Sequence, residues 1–194
     1  DERLYYSGIH RATSTPYILK ELRNLAASSR NGKVTIVAHS NGGLVAKALI
    51  KQLEDSNDPL LESIDNLILI AVPQLGTPQA LGAVLHGYDQ ALPFSWLPLL
   101  VTPEHARAFA STSPMAHHLL PSEAYLNASS PIITFEPGEA TQPLIDTYGE
   151  SIDSYAELRS FLMRSEGRPE PDFEDVTAPA SADPGLLSYA HEVH

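Results

Sequence analysis

Residues 34–46 have the sequence VTIVAHSNGGLVA, and the architecture of the chain depends on them. A short β-branched run ends abruptly at Ser40, which small residues flank. This pattern predicts a nucleophile elbow, where a buried strand turns at once into a helix and the serine is strained with its hydroxyl projecting. Ala38 replaces the first glycine of the usual G-x-S-x-G pattern, and Gly42 and Gly43 follow where the helix passes close to the strand. The alternative is a buried strand followed by an ordinary helix with an N-terminal Ser or Asn cap. That alternative does not explain the pair Gly42 and Gly43.

The backbone amide of Asn41 is the second chemical feature of this stretch. Because Asn41 opens the predicted helix, its N–H points toward the space in front of Ser40. An amide there can donate a hydrogen bond to the oxyanion that forms when a serine attacks an ester carbonyl. Ser40 is therefore the candidate nucleophile, and the Asn41 amide is the candidate oxyanion-hole donor.

The composition is that of a folded protein with an acidic surface. The 194 residues are 43% hydrophobic, carry a net charge of −12 and include no cysteine. This charge argues against nucleic acid or an anionic membrane surface as a partner bound by bulk electrostatics. The lack of cysteine excludes disulfides, thiolate zinc sites and a cysteine nucleophile. No apolar run is long enough to span a bilayer.

Both termini indicate a chain cut from something longer. The first residues, Asp1 to Arg3, contain neither an initiator methionine nor a signal peptide. The last residues, 186–194, predict the opening of a helix without a terminator. We therefore expect an incomplete domain, and the compartment and oligomeric state stay undetermined.

The first half of the chain predicts an α/β core. A capped helix with apolar spacing begins at Ser14 and stops at Asn31-Gly32, where it should cover one face of a sheet. Residues 33–38 and 67–72 are near-continuous apolar runs, which predict strands buried on both faces. Helices alternate with these strands, so we expect right-handed crossovers in a parallel sheet. The turn-rich segment 73–78 then lies where open α/β sheets bind ligands.

An apolar segment interrupted by prolines follows this core. Within it, Phe94, Trp96 and Leu97 are expected to contact substrate, because a lid over a lipid site needs an apolar inner surface. The alternative is a satellite core packed on the domain. Residues 131–135 predict a short strand and residues 154–162 a helix, both assigned to the same cap.

The amino-acid composition changes again in the last part of the chain. Residues 165–184 are rich in Glu, Asp, Pro, Ala and Ser, a composition that cannot bury enough apolar area to order itself. We therefore predict three regions. These are a partial hydrolase core at 1–80, a cap or lid at 81–164, and an acidic flexible connection with the start of a helix at 165–194.

Three blocks of sequence resemble the α/β-hydrolase superfamily, and within it the lipases and acyltransferases similar to lecithin:cholesterol acyltransferase. They are VAHSNGGLV at 37–45, LIAVPQLGTP at 69–78 and SPMAHHLLPS at 113–122. The resemblance implies a parallel sheet with flanking helices and an inserted cap or lid, incomplete at both ends. It places Ser40 in the nucleophile position and Asn41 at the oxyanion hole. Gln79 departs from the family pattern, which usually has histidine after Gly-Thr-Pro.

The resemblance also implies a triad in the order serine, acid, histidine. We expect the acid and the histidine beyond His194, and the oxyanion-loop strand before Asp1. Glu136, which follows a predicted strand, is the internal alternative for the acid. No histidine has a spacing that identifies it as the base, and none forms a convincing metal-binding set; those considered are His39, His117, His118, His191 and His194.

The predicted function is a serine esterase or lipase that acts on lipid-like acyl esters through an acyl-enzyme at Ser40. It needs no cofactor. One alternative is an acyltransferase of the same fold that passes the acyl group to an alcohol. Another is a hydrolase-like module that binds lipids or partners without turnover.

Overall fold

A computed structural model describes residues 14–88 and 102–193 of the chain. Main-chain contacts divide it into two compact units, which adjoin in sequence between Gln74 and Leu75. The first unit contains the two helices and two strands of the predicted core and one further element, a 3-10 turn. In chain order they are helix α1 (Ser14–Ser28), strand β1 (Val34–His39), helix α2 (Gly42–Asp55), a 3-10 turn (Pro59–Ser63) and strand β2 (Ile64–Ile70).

The two strands of the first unit pair in parallel, as predicted. Val37 lies opposite Ile68, and His39 lies opposite Ile70. Helix α2 and the 3-10 turn make the crossover between them, since a parallel pair cannot be joined by a tight turn. The α/β character of the core is confirmed for this pair of strands.

The prediction that both strands are buried on both faces is wrong for the described residues. Val37 is 61% exposed, and its neighbours Ile68 and Ile70 are each 48% exposed. Because side chains alternate along a strand, these three residues share one face of the sheet. The core of the unit is instead formed by residues of α1, α2 and the 3-10 turn, and the strand residues that pack against it are only partly buried. Its buried members are Leu22, Ala48, Leu49, Leu53 and Leu60.

The second unit is mainly helical. Its helices are α3 (Pro78–His86), α4 (Pro103–Thr112), α5 (Pro114–His118), α6 (Glu123–Ala128), α7 (Gln142–Tyr148), α8 (Tyr155–Met163) and α9 (Pro184–Val193). Two short strands, β3 (Ile133–Thr134) and β4 (Ser151–Ile152), pair antiparallel. None of the described helices in either unit is long and apolar enough to cross a membrane.

The core of the second unit joins α3, α8 and the short sheet. Its largest buried members include Phe161, Ile152 and Leu158. Phe161 meets Phe135 with ring centroids 5.9 Å apart and Tyr148 with centroids 5.3 Å apart. The strand predicted at 131–135 is present in shortened form as β3.

The predicted helix at 154–162 is confirmed as α8, and its start is fixed by a capping box. The backbone N–H of Glu157 donates to the Ser154 hydroxyl, and the Glu157 carboxylate accepts from the Ser154 N–H at 3.0 Å. These two hydrogen bonds satisfy amides that a helix start leaves without partners. Hydrogen bonds to the Glu157 carboxylate from the Asp153 N–H, the Ser154 N–H and the Ser154 hydroxyl lower the pKa of Glu157.

The acidic segment 165–184 is held at several points, which differs from the flexible connection that its composition predicts. Arg107 on α4 is 5% exposed, and its guanidinium donates to the carbonyl oxygens of Asp172 at 2.9 Å and Phe173 at 2.8 Å. Arg168 donates to the Ala180 carbonyl at 3.0 Å and lies over the Phe161 ring, 4.7 Å from its centroid. Composition misses this because the segment is anchored mainly through its main chain, and the apolar side chains it buries are the small ones of Ala180 and Ala182.

Of the cap or lid predicted at 81–164, the apolar segment 92–101 lies outside the described residues. Phe94, Trp96 and Leu97 lie between 88 and 102, so their expected contact with substrate stays a prediction. The helix predicted at the end of the chain is present as α9, which continues to Val193.

The glycine pair after Ser40 gives a matched test of the packing in the first unit. A Cβ at Gly43 would lie 2.1 Å from Cγ2 of Val72, whereas a Cβ at Gly42 meets nothing within 4 Å. We expect Gly43→Ala to lower the free energy of unfolding by about 1–3 kcal/mol through overpacking. Gly42→Ala should leave it unchanged or raise it by up to about 1 kcal/mol. Urea unfolding of both variants checks this, and equal effects would contradict the close approach.

Candidate active site

Ser40 lies at the junction of β1 and α2 with a left-handed backbone. Its φ is 53°, a conformation that costs a residue with a Cβ about 1–3 kcal/mol. Its N–H still donates to the carbonyl of Ile70 at 3.0 Å, so the strand pairing continues as far as the serine. The side chain is exposed. This is the conformation that a nucleophile elbow requires, in which the chain changes direction at a single residue.

Helix α2 begins immediately after the serine. Asn41 has helical angles, φ −55° and ψ −24°, and the Ser40 carbonyl accepts from the Gly43 N–H at 3.0 Å. The first amides of a helix have no partner within it. In the described part of the chain the Asn41 N–H has no main-chain acceptor. It is thus available to a ligand oxygen beside Ser40.

The close approach of α2 to the end of β2 explains Gly43 of the motif, whereas Gly42, which the sequence also places at this approach, has open space around it. Gly43 is buried and lies against the side chain of Val72, where a larger residue would clash. Ala71, just before Val72, also has a positive φ, 48°. Ala38, which stands in place of the first glycine of the motif, is 7% exposed and belongs to the buried part of β1.

The residues considered for the base and the acid are distributed over both units. His39 ends β1 with an exposed side chain, next to Ser40. Glu136 is exposed and belongs to the second unit, after β3. The side chain of His191 and the whole of His194 lie outside the described residues.

The pair His117 and His118 is completely buried in the second unit. His117 donates from Nδ1 to the Ser113 carbonyl at 2.8 Å and accepts at Nε2 from the Asp183 N–H at 3.1 Å. These bonds fix one neutral tautomer, and burial lowers the pKa of His117. Its role is to connect α5 to the start of α9. Across residues 14–88 and 102–193, no group of three or more His, Cys, Asp or Glu side chains is arranged to hold a metal ion.

A family model described as lecithin:cholesterol acyltransferase matches residues 11–139, well over half of the chain. The chain belongs to this family. No curated protein and no solved structure gives a significant match. Membership confirms the resemblance found in the sequence and associates the chain with hydrolysis or transfer of lipid acyl esters. The match includes all three sequence blocks, with the elbow in the first of them.

Gln79, which stands where the family pattern usually has histidine, lies at the start of a helix in the second unit. Gln79 lies in the first turn of α3, and its backbone N–H donates to the hydroxyl of Thr77, the N-cap, at 3.4 Å. The Thr77 N–H in turn donates to the Leu119 carbonyl at 2.7 Å. The Gly-Thr-Pro block therefore starts a helix of the second unit, with the Gln79 side chain exposed.

The strained backbone of Ser40 predicts a difference between two variants that both lack the hydroxyl. Ser40→Gly removes the Cβ that makes a positive φ costly, whereas Ser40→Ala retains it. We expect the glycine variant to have the higher free energy of unfolding, by about 1 kcal/mol. Chemical denaturation at matched conditions measures the difference. A glycine variant that is less stable than the alanine variant would contradict a left-handed Ser40.

The buried His117 predicts acid sensitivity. Its pKa is lowered in the folded state from the ordinary value of 6.5, so the unfolded chain binds a proton first as the pH falls. Stability from the neutral imidazole is therefore present above the unfolded pKa and is lost on acidification. Between about pH 7 and pH 5, the stability advantage of the wild type over His117→Gln should shrink by up to about 1.4 kcal/mol per pH unit. Parallel unfolding profiles for the two proteins would contradict this role.

Proposed function

We propose that this chain carries the nucleophile of a serine esterase or lipase that acts on lipid acyl esters, with Ser40 as the attacking residue. The observation that carries the proposal is the left-handed backbone of Ser40 between a parallel strand and a helix start. Family membership supports the substrate class, since the family is named for a lipid acyltransferase. Strain at a single exposed serine, kept by the packing around it, is typical of a functional residue.

The proposed reaction has two steps. Ser40 Oγ attacks the ester carbonyl as a base takes its proton, and the resulting oxyanion accepts a hydrogen bond from the Asn41 N–H. The C–O bond to the alcohol then breaks, the alcohol leaves with a proton, and the acyl group stays on Ser40. Water attacks this acyl-enzyme and releases the fatty acid, regenerating the serine.

The reaction requires a general base at Ser40, because an isolated hydroxyl is a weak nucleophile at neutral pH. We assign this role to a histidine that follows the acid in chain order, as in other α/β-hydrolases. His39 is not that residue in our proposal. It is the last residue of β1, and a nucleophile elbow projects the serine hydroxyl away from the strand that precedes it.

Acyl transfer is the second candidate function, and the name of the matched family favours it. The first step is the same. An alcohol then replaces water as the acceptor, so that a new ester forms instead of a free acid. The two functions differ only in which acceptor reaches the acyl-enzyme.

Labelling with a fluorophosphonate probe tests the proposal, because these probes react with activated serines. The product of the complete gene should be labelled, Ser40→Ala should not, and His39→Gln should retain labelling. Loss of labelling in His39→Gln would make His39 the base.

Labelling that persists in Ser40→Ala would contradict the assignment of the nucleophile. A folded wild type without labelling would overturn the enzyme proposal in favour of a lipid-binding module. Thermal unfolding of each variant serves as the control for folding.

A further inference from the structure

The chain has two Asn-Gly pairs, and the structure holds them differently. Asn31-Gly32 is exposed in the turn between α1 and β1, whereas Asn41-Gly42 lies at the start of α2 beside Ser40, with Asn41 half-buried. An Asn-Gly pair loses ammonia readily, because glycine has no side chain to hinder its nitrogen as that nitrogen attacks the carboxamide. Both pairs have this chemistry, so a difference in rate between them comes from the fold.

The reaction converts asparagine into aspartate or isoaspartate. The glycine nitrogen gives its proton to hydroxide and bonds to the carboxamide carbon, which forms a tetrahedral intermediate with negative charge on Oδ1. The bond from this carbon to Nδ2 then breaks, the nitrogen leaves as ammonia with a proton from water, and a cyclic succinimide remains. Water opens the ring at either carbonyl. Donors to Oδ1 accelerate the reaction, since they stabilise the charge that develops there.

Two donors meet Oδ1 of Asn31. The Ser29 hydroxyl donates to it at 2.8 Å, and the Lys33 N–H donates at 3.1 Å. The second bond closes an Asx turn, which holds the carboxamide beside the peptide unit of Gly32. The attacking nitrogen is only weakly restrained, because the Gly32 N–H donates to the Ser29 carbonyl at 3.3 Å, a long hydrogen bond. The turn therefore favours attack on Asn31.

Asn41 is held in the opposite way. Its Oδ1 is buried and has no hydrogen-bond partner among the described residues. Its main-chain carbonyl accepts from the N–H groups of Leu44 at 3.1 Å and Val45 at 3.2 Å, which fixes the peptide unit that contains the Gly42 nitrogen. Rotation of this nitrogen toward the carboxamide would break both bonds and open the first turn of α2. The start of the helix therefore hinders attack on Asn41.

We propose that Asn31 is a site of spontaneous deamidation, promoted by the Ser29 hydroxyl and the Lys33 amide, and that the fold protects Asn41 from the same reaction. The product at Asn31 is a carboxylate in an exposed turn. The same product at Asn41 would place negative charge beside the amide proposed to stabilise an oxyanion. The reaction at Asn31 is independent of any role of Ser40.

Peptide mapping of the aged protein tests the proposal. The folded chain is incubated at mildly alkaline pH and then cleaved after glutamate, which gives a peptide 22–54 that contains both Asn-Gly pairs. Fragmentation in a mass spectrometer measures the conversion at each asparagine. We expect Asn31 to convert about tenfold faster than Asn41 or more, because only its intermediate has donors to Oδ1. In guanidinium chloride, which unfolds the chain, the two rates should become similar.

A matched pair of variants isolates the hydroxyl. Ser29→Ala removes the donor to Asn31 and should slow its conversion about fivefold. Ser28→Ala removes the neighbouring hydroxyl, which donates to the Leu25 carbonyl at 3.1 Å, and should leave the rate unchanged. Ser29→Thr keeps a hydroxyl and should convert like the wild type.

Three results would each overturn the proposal. They are equal rates at Asn31 and Asn41 in the folded wild type, a rate difference that persists in guanidinium chloride, and an unchanged rate in folded Ser29→Ala. Thermal unfolding checks that each variant is folded. The comparison of the two pairs within the wild type needs no variant, so it decides the question even if Ser29→Ala does not fold.

Discussion

The close packing of Gly43 against Val72 is the constraint on which the candidate active site depends. Helix α2 starts so near the end of β2 that no Cβ fits between them. Because α2 begins this close to the end of β2, the partner strand of β1, one residue remains for the change of direction between β1 and α2. That residue is Ser40, and its positive φ is the consequence. The exposed hydroxyl and the available Asn41 amide follow from the same turn, since one projects from it and the other begins the helix.

The second unit relies on long side chains that donate to main-chain carbonyls. Arg107 and Arg168 hold the segment between α8 and α9, and the His86 imidazole adds a hydrogen bond to the Val176 carbonyl at 2.8 Å. Charged donors make strong hydrogen bonds and satisfy carbonyls that no regular element pairs. They order a stretch whose own composition is unfavourable for packing. His117 holds the chain before α9 with the opposite polarity, because its neutral Nε2 accepts a hydrogen bond from the Asp183 N–H.

The sequence predicts the junction of strand, serine and helix well because the requirements of this junction are local. A β-branched strand, a serine and small neighbours must be consecutive, so residues 34–46 are sufficient to predict the junction, and the helix and strand flanking it. The parallel pairing of β1 and β2 follows from the intervening helix. Burial of both strand faces could not be predicted from apolar runs, because Val37 and Ile68 show that an apolar side chain is not necessarily covered.

Other features depend on residues far apart in the chain, and local patterns do not reveal them. Arg107 is separated from its carbonyl partners by more than sixty residues, so the composition of 165–184 could not indicate the anchoring. The triad partners that we propose for Ser40 depend equally on tertiary structure, whereas a candidate nucleophile has a local signature.

Direct mapping of an acyl-enzyme tests the central claim that Ser40 is a nucleophile for lipid esters. The product of the complete gene is mixed with a p-nitrophenyl ester of a fatty acid, quenched in acid during the first turnover and digested with trypsin. Mass spectrometry then examines the peptide between Lys33 and Lys47, which contains Ser40 as its single serine. Our account predicts an acyl adduct at Ser40 in this peptide, formed with the first release of p-nitrophenol. Ester hydrolysis with the adduct on another residue, or with none on this peptide, would contradict it.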